Sequence, residues 1–436
     1  MSIMDKKRLV SAVVANKAGD IFDLPGYAAV GMAGHSFVPL LVKETINMPF
    51  GSELMMMPDR KPVLYNIDSG TMETIHENPY SPGERIFPVA VFNSPGYVIS
   101  YNCAYVEDRG AGYLPLFSYG ATGWLNGEFR SSVILVDREN RQDIRLMKPE
   151  DVSCGIEKAR KKMPGNRLLK HLEKCATLYG CPAGKNFFLG RYEAPLPVSK
   201  HCNAKCLGCL SLQKDSVIPN CQDRISFTPR PEEVAEIALE HICKVKKPVV
   251  SFGQGCEGDP LLAADVIESA IQMIRLKTDK GTININTNGS LPSVLERLID
   301  AGLDSMRISL NSVRKTYYNA YFRPQSYCFD DVKKSINLAL GREKFVSINY
   351  LNCPGFTDSP EESDALMDFL KLYPVHFIQW RNLNFDPVKY VNIMSDIKRH
   401  GKPIGMKLVL SRIKNAFPHI KYGYFNPPKE SFHEQI

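Results

Sequence analysis

Three cysteines crowd one short run, His201-Cys202-Asn203-Ala204-Lys205-Cys206-Leu207-Gly208-Cys209. The CxxxCxxC spacing sets three thiolates on a single tight loop. Thiolates bind zinc and iron-sulfur clusters, and each of these normally takes four ligands. A closed zinc site would need His201, Cys221 or another thiol as the fourth. A cluster held by three thiolates keeps one iron open for a substrate or a cofactor.

The elements that must position this loop follow from the rest of the chain. It has 436 residues, 44% of them hydrophobic, which predicts two or three domains with cores that need no covalent staples. Charged residues at 23% and aromatics at 10% exclude wholesale disorder and collagen-like repeats. The 54 basic and 47 acidic side chains leave a net charge of +7, too modest by itself to argue for nucleic acid. The apolar run Leu9 to Ala15 is short for a signal core and reads as a strand, and no stretch reaches the roughly 18 apolar residues needed to cross a bilayer. These features predict a cytoplasmic protein without a membrane anchor, in which clustered cysteines bind metal or do chemistry.

Residues 1–150 alternate short apolar runs such as FPVAVF and SSVILV with Gly and Pro, predicting a β-rich α+β N-terminal domain that serves substrate recognition. Residues 151–193 form a helical connector broken at Met163-Pro164-Gly165, with a basic run from Lys158 to Lys174 that reads as a solvated face. From 194 to 390, strand-like VVSF, ININTN, SMRISL, FVSINY and HFIQWRNL alternate with helical stretches, after a first strand near APLPVS. Six strands with five intervening helices predict parallel βαβ units curling into a partial (β/α)6 barrel. Residues 391–436 are expected to close it. Reactive sites in such folds lie at the carboxyl ends of the strands, and the cysteine loop follows the first strand.

With that placement the sequence resembles the radical S-adenosylmethionine (radical SAM) enzymes. In that family a CxxxCxxC loop after the first barrel strand holds a 4Fe-4S cluster, and the fourth iron is chelated by S-adenosylmethionine. Reductive cleavage of the sulfonium then gives a 5′-deoxyadenosyl radical that abstracts hydrogen from a substrate. The resemblance implies that Cys202, Cys206 and Cys209 ligate the cluster. It also likens GQGCEGDPLL, with Gly255, Gly258 and Asp259, to the family's GGEP segment that holds the methionyl amine. Adjacent glycines allow close backbone approach to a ligand, and a carboxylate suits an ammonium group. Asn286 and Asn288 after the third strand, and Ser309 and Asn311 at the end of the fourth, are assigned by the resemblance to ribose and methionyl contacts. Two positions depart from the pattern. Gly208 stands where an aromatic residue is common, and the GEP core reads Gly258-Asp259-Pro260.

Gln379 and Arg381 alternate in the sixth strand, which points them into the barrel lumen. A buried arginine needs an anion: the S-adenosylmethionine carboxylate, an anionic substrate or a structural acid such as Asp386. Cys256 and Cys353 are expected to face the barrel mouth, where a thiol could donate a hydrogen atom to a substrate radical. Cys175, Cys181 and Cys221 are candidates for a second iron-sulfur cluster, and Cys243 reads as a core thiol. The reading is therefore an oxygen-sensitive enzyme acting on a small-molecule or peptide substrate, with an electron donor such as flavodoxin or ferredoxin. The alternatives are a radical SAM enzyme that modifies a peptide or RNA, and a zinc-binding RNA or protein adaptor built on a structural cysteine site.

Overall fold

The computed structural model describes residues 8–213, 217–398 and 400–433. The chain enters on the strand Ser11–Asn16, as the apolar run leads one to expect. The basic residues before it, Lys6 and Lys7, lie outside the described residues. Fifteen short strands between Ser11 and Leu135 build three antiparallel sheets of ten, three and two strands. Alternation buries Ala12 and Val14 with Leu24, Leu64 and Ile86 on one face, while Val13 and Ala15 join Val89 on the other. This region is β-rich, as predicted.

Three connector helices follow, α1 (Pro149–Lys162), α2 (Arg167–Thr177) and α3 (Pro182–Phe188). The break at Met163-Pro164-Gly165 ends α1, and the Asn166 side chain then accepts a hydrogen bond from the Leu169 amide to cap α2. Much of the basic run is paired in place: Arg160 with Glu173, Lys162 with Glu240, Arg167 with Glu233 and Lys174 with Asp223.

The remaining chain forms a parallel seven-stranded sheet in sequential order: β1 (Glu193–Pro195), β2 (Val249–Phe252), β3 (Thr282–Thr287), β4 (Ser305–Leu310), β5 (Phe345–Asn352), β6 (Phe377–Asn382) and β7 (Lys421–Gly423). The helices that cover it are α4 (Pro231–Lys244), α5 (Ala264–Arg275), α6 (Pro292–Ala301), α7 (Lys315–Phe322), α8 (Phe329–Gly341), α9 (Pro360–Leu372), α10 (Pro387–Ser395) and α11 (Met406–Ala416). Several start as their sequences require. Pro occupies the first turn of α4, α6, α9 and α10, and Ser359 accepts from the Glu362 amide to cap α9. Gly302 ends α6 at φ +118°, a conformation that disfavours any side chain. The sheet is thus the predicted partial barrel. Its seventh strand comes from the tail, and α7, within RKTYYNAYF, was not anticipated.

Side-chain alternation gives the sheet two unlike faces. Val250, Ile283, Ile285, Met306, Ile308, Val346, Ile348, Ile378 and Trp380 join the main apolar core beneath the helices. The other set is polar, and the register aligns it: Ser251 with Asn284, Asn284 with Ser305, Asn286 with Arg307, Arg307 with Ser347, and Asn349 with Gln379. A doubly covered parallel strand would be apolar throughout. The polar rows therefore mark a lumen.

The N-terminal strands pack against the carboxyl ends of β5 and β6. Asn352 donates to the Ile99 carbonyl at 2.8 Å and Asn382 to the Tyr97 carbonyl at 2.9 Å, while the Ile99 amide donates to Asn382 at 2.9 Å. Nearby, fully buried Asp386 takes Arg60 at 3.1 Å and the Tyr105 hydroxyl at 3.0 Å. Arg60 and Tyr105 thus bind a carboxylate at the N-terminus of α10.

Candidate active site

The cysteine loop leaves β1 and is strapped to the end of α7. The amides of Lys205 and Leu207 donate to the carbonyls of Phe322 and Tyr321, each at 3.0 Å, and the Gln325 amide donates to the Asn203 carbonyl at 2.9 Å. Asn384 and Gln213 clasp the loop further, donating to the carbonyls of Gly208 and Cys209 at 2.9 and 2.8 Å. Cys202, Cys206 and Cys209 are free and half-buried. Arg224 Nη2 reaches Cys209 Sγ at 3.4 Å. Burial pushes the Cys202 thiol up to about 11, and that of Cys206 well above its ordinary value. Such thiols ionise when a metal takes them.

These residues fit an iron-sulfur cluster. Three unpaired thiols converge from a backbone pinned by hydrogen bonds, yet their sulfurs are not gathered on one point as a single-ion site would need. Among the described residues, the group of three or more His, Cys, Asp or Glu whose ligand atoms all lie within 4.8 Å of one another lies elsewhere. Gly208 also explains its own departure from the aromatic pattern. A Cβ there would lie 2.7 Å from the Tyr321 hydroxyl and 3.0 Å from the Asn384 carbonyl, so those two residues fill the space.

The glycine-acid segment after β2 is stitched to the cysteine loop through backbone. The Gly258 amide donates to the Ser199 carbonyl at 2.6 Å and the Asp259 amide to the His201 carbonyl at 3.0 Å. A Cβ on Gly258 would come within 1.8 Å of that His201 oxygen. The glycine therefore serves chain-to-chain approach, while Gly255 lies exposed on the same segment.

The carboxylate of Asp259, which the resemblance associates with the methionyl ammonium, is turned to protein partners. It is buried and accepts from Thr287 Oγ1 at 2.8 Å and from the amides of Asn288 and Leu261 at 2.7 and 3.1 Å. Both oxygens are used, and burial raises it to about 6. Glu257, a residue that the motif resemblance does not mark, clasps the segment from inside. It accepts from the amides of Val198, Ser199, Gly253 and Gln254 at 2.7 to 2.9 Å. Its only sequence signal was an acid within the Gly255-Cys256-Glu257-Gly258-Asp259-Pro260 run.

The asparagines bind protein as well. Asn286 donates to the carbonyls of Phe252 and Gly253 at 3.0 Å, fixing the turn that opens the segment. Asn288 donates to Asn203 of the cysteine loop at 2.8 Å. Asn311 is buried, donating to the Tyr317 carbonyl and the Tyr390 hydroxyl at 3.1 Å, with its Oδ1 unpartnered. Ser309 stands half-buried on the lumen face of β4.

Arg381 does not pair with Asp386. It donates to the Tyr424 carbonyl at 3.0 Å, and its guanidinium lies 3.6 Å from the Tyr424 ring centroid. Arg307, within the SMRISL run of β4, joins it in the lumen. The Ser305-Arg307-Ser309 alternation was the available signal. Arg307 is held by Gln379, and Gln379 in turn donates to Asn426 at 3.0 Å. Asn426, from the tail, also binds Glu193 at 2.8 Å and fills the floor of the lumen. Burial and the neighbouring Arg381 lower Arg307 to about 9. Nε of both arginines lacks a partner, as does Asn349 Oδ1.

Two thiol placements also change. Cys353 is 2% exposed, held by the core beneath the Asn102 strand, and burial pushes its thiol far above the ordinary range. Cys256 turns away from the mouth toward α2, where it meets His171 and Cys175. Cys221 is exposed, with Sγ 3.6 Å from the Leu116 carbonyl, apart from the Cys175 group.

Residues 196–368 match the model of the Radical SAM superfamily. The mitochondrial GTP 3′,8-cyclase of Arabidopsis thaliana is 27% identical over 241 residues, covering 53% of this chain and 55% of that protein. A probable GTP 3′,8-cyclase of Methanocaldococcus jannaschii is 28% identical over 188 residues, 41% of this chain and 58% of that one. The chain thus spans a little over half the length of these curated relatives. Among solved structures, the FeFe-hydrogenase maturase of Carboxydothermus hydrogenoformans aligns over 66% of this chain and 71% of its own, at 15% identity and a TM-score of 0.36. Residues 196–368, which carry the CxxxCxxC loop and most of the parallel half-barrel, thus form a radical SAM domain, of a superfamily whose members use a 4Fe-4S cluster and S-adenosylmethionine.

Proposed function

We propose that this radical SAM enzyme acts on a small anionic substrate held in the barrel lumen by Arg307 and Arg381. The observation that carries this reading is the pair of lumen guanidiniums whose Nε atoms lack partners. Two like charges in a half-buried space cost free energy unless anions join them. Glu193 faces Arg307 but already lies 3.6 Å from Arg141. S-adenosylmethionine adds one carboxylate with two positive groups of its own, so it supplies no net negative charge. A substrate carboxylate or phosphate does. The relatives named as acting on GTP support a phosphate-bearing candidate.

When bound, the cluster and S-adenosylmethionine supply the 5′-deoxyadenosyl radical, at the expense of one electron from a donor such as flavodoxin or ferredoxin. Cys202, Cys206 and Cys209 would hold the cluster. Glu257 and Asp259 fix the backbone beside it, Arg307 and Arg381 orient the substrate anion, and the N-terminal strands across β5 and β6 shield that side of the mouth from water. The twelve cysteines, all unpaired, support a reducing cytoplasmic setting.

The test is anaerobic reconstitution followed by dithionite, S-adenosylmethionine and GTP, reading 5′-deoxyadenosine and loss of GTP. Product above a Cys202→Ala control is expected. Arg307→Gln should weaken anion binding by about 10- to 100-fold, the worth of a charged hydrogen bond of about 1.5–3 kcal/mol. Absence of 5′-deoxyadenosine would overturn the enzyme reading, and unchanged anion affinity in Arg307→Gln and Arg381→Gln would overturn the substrate class.

A further inference from the structure

We propose that His171 and Cys175 of α2, Cys256 of the loop after β2 and the adjacent Cys181 form a binding site for a single zinc ion, separate from the CxxxCxxC loop. His171 and Cys175 are one helical turn apart and so share a face of α2. Cys175 Sγ lies 3.5 Å from His171 Nε2. Cys256 Sγ completes a group whose ligand atoms all fall within 4.8 Å of one another. Metal-ligand distances of about 2.3 Å to sulfur and about 2.0 Å to nitrogen, at tetrahedral angles, give an N···S edge of about 3.5 Å. The observed edge matches it.

The donor set selects the metal. Two thiols and an imidazole are the soft and borderline ligands of structural zinc, and no carboxylate is in the group to favour a hard cation. Convergence on one point separates the site from a cubane cluster, which holds each thiolate on a different iron. Both thiols are buried, Cys175 at 2% and Cys256 at 6% exposure, and neither is in a disulfide. The fourth donor is at hand. The Cys181 amide donates to the Cys175 carbonyl at 2.9 Å, which anchors the start of α3 on the end of α2; the Cys181 thiol lies outside the 4.8 Å group and would complete the site by turning toward it. A closed site with three cysteines and one histidine would pin α2 of the connector to the segment that Glu257 and Asp259 clasp against the cysteine loop.

The full chain, purified anaerobically from zinc-supplemented cells, is tested by elemental analysis, zinc-edge absorption spectroscopy and cobalt replacement. About one zinc per chain is expected, with mixed sulfur and nitrogen shells. It should persist when Cys202, Cys206 and Cys209 are all changed to Ala, and disappear in His171→Ala and in Cys175→Ser while the visible absorption of the CxxxCxxC cluster remains. Cobalt in its place should show thiolate charge-transfer bands. The half-buried His171 makes the first variant a mild one, and the wild-type spectrum needs no variant at all. The proposal is overturned if the wild-type chain holds no stoichiometric zinc, or if zinc survives in the Cys175→Ser, Cys256→Ser double variant. A Cys175–Cys256 disulfide in anaerobic protein, or extra iron with matching sulfide lost in Cys175→Ser, would overturn it as well.

Discussion

Single side chains at this site act mostly on other parts of the protein, and the Gly258 position shows why. Its missing Cβ lets two backbone segments hydrogen-bond across what a methyl group would fill, 1.8 Å from the His201 oxygen. Gly258→Ala must therefore push the cysteine loop away from the glycine-acid segment. Loss of most cluster iron after reconstitution is expected, with a lowered melting temperature; full iron content in that variant would show that the segment does not hold the loop. Motif resemblance places such a glycine near the ligand, whereas the hydrogen bonds assign it to the scaffold. Asp259 makes the same point, because its type suits an ammonium group but its oxygens serve Thr287, Asn288 and Leu261. Only a map of the neighbours distinguishes the two uses of one carboxylate.

At the scale of elements, the connector helices meet the barrel at α4 and at β1. His241 of α4 is buried, with Nε2 3.1 Å from the Tyr192 carbonyl and Nδ1 unpartnered. Burial lowers its pKa from 6.5 to about 4. The unfolded chain therefore binds this proton first as pH falls, so folding stability is lost from about 6.5 down to about 4, at about 1.4 kcal/mol per pKa unit. Urea unfolding of wild type and His241→Leu across that window should show the wild type losing more; parallel curves would exclude His241 as the sensor. Among elements, β2 to β6 were legible because polar and apolar residues alternate within short runs set off by capped helices. Helix α7 was not, since KTYYNAYF is rich in aromatics that fit strands as well as helices. Its helical form comes from packing Tyr317, Tyr318, Tyr321 and Phe322 into the core. The cost of missing α7 was missing what holds the cysteine loop.

Across the whole molecule, the N-terminal sheets and the barrel are joined by a buried charge cluster. Asp386 is fully buried and receives Arg60, the Tyr105 hydroxyl and the Leu114 amide while it caps α10. Removing Arg60 leaves that carboxylate uncompensated, and breaking a buried pair typically costs about 3–5 kcal/mol. Arg60→Met should lower the denaturation midpoint accordingly and open the Tyr97 to Cys103 strands to limited proteolysis. A variant as stable and protease-resistant as wild type would mean that the two parts do not depend on this contact. No helix among the described residues is long and apolar enough to cross a membrane.

The sequence by itself determined the CxxxCxxC spacing on one loop, the order of strands and helices in the barrel, and the polar alternation that makes one sheet face a lumen. Each of these is local, written in spacing and periodicity over a few residues. Tertiary structure alone decided that Asp259 and the asparagines face protein and that Arg307 joins Arg381. It also decided that Cys256 leaves the mouth for His171 and Cys175, some eighty residues away along the chain. Which groups satisfy a buried polar atom depends on three-dimensional neighbours, and residue type alone does not name them.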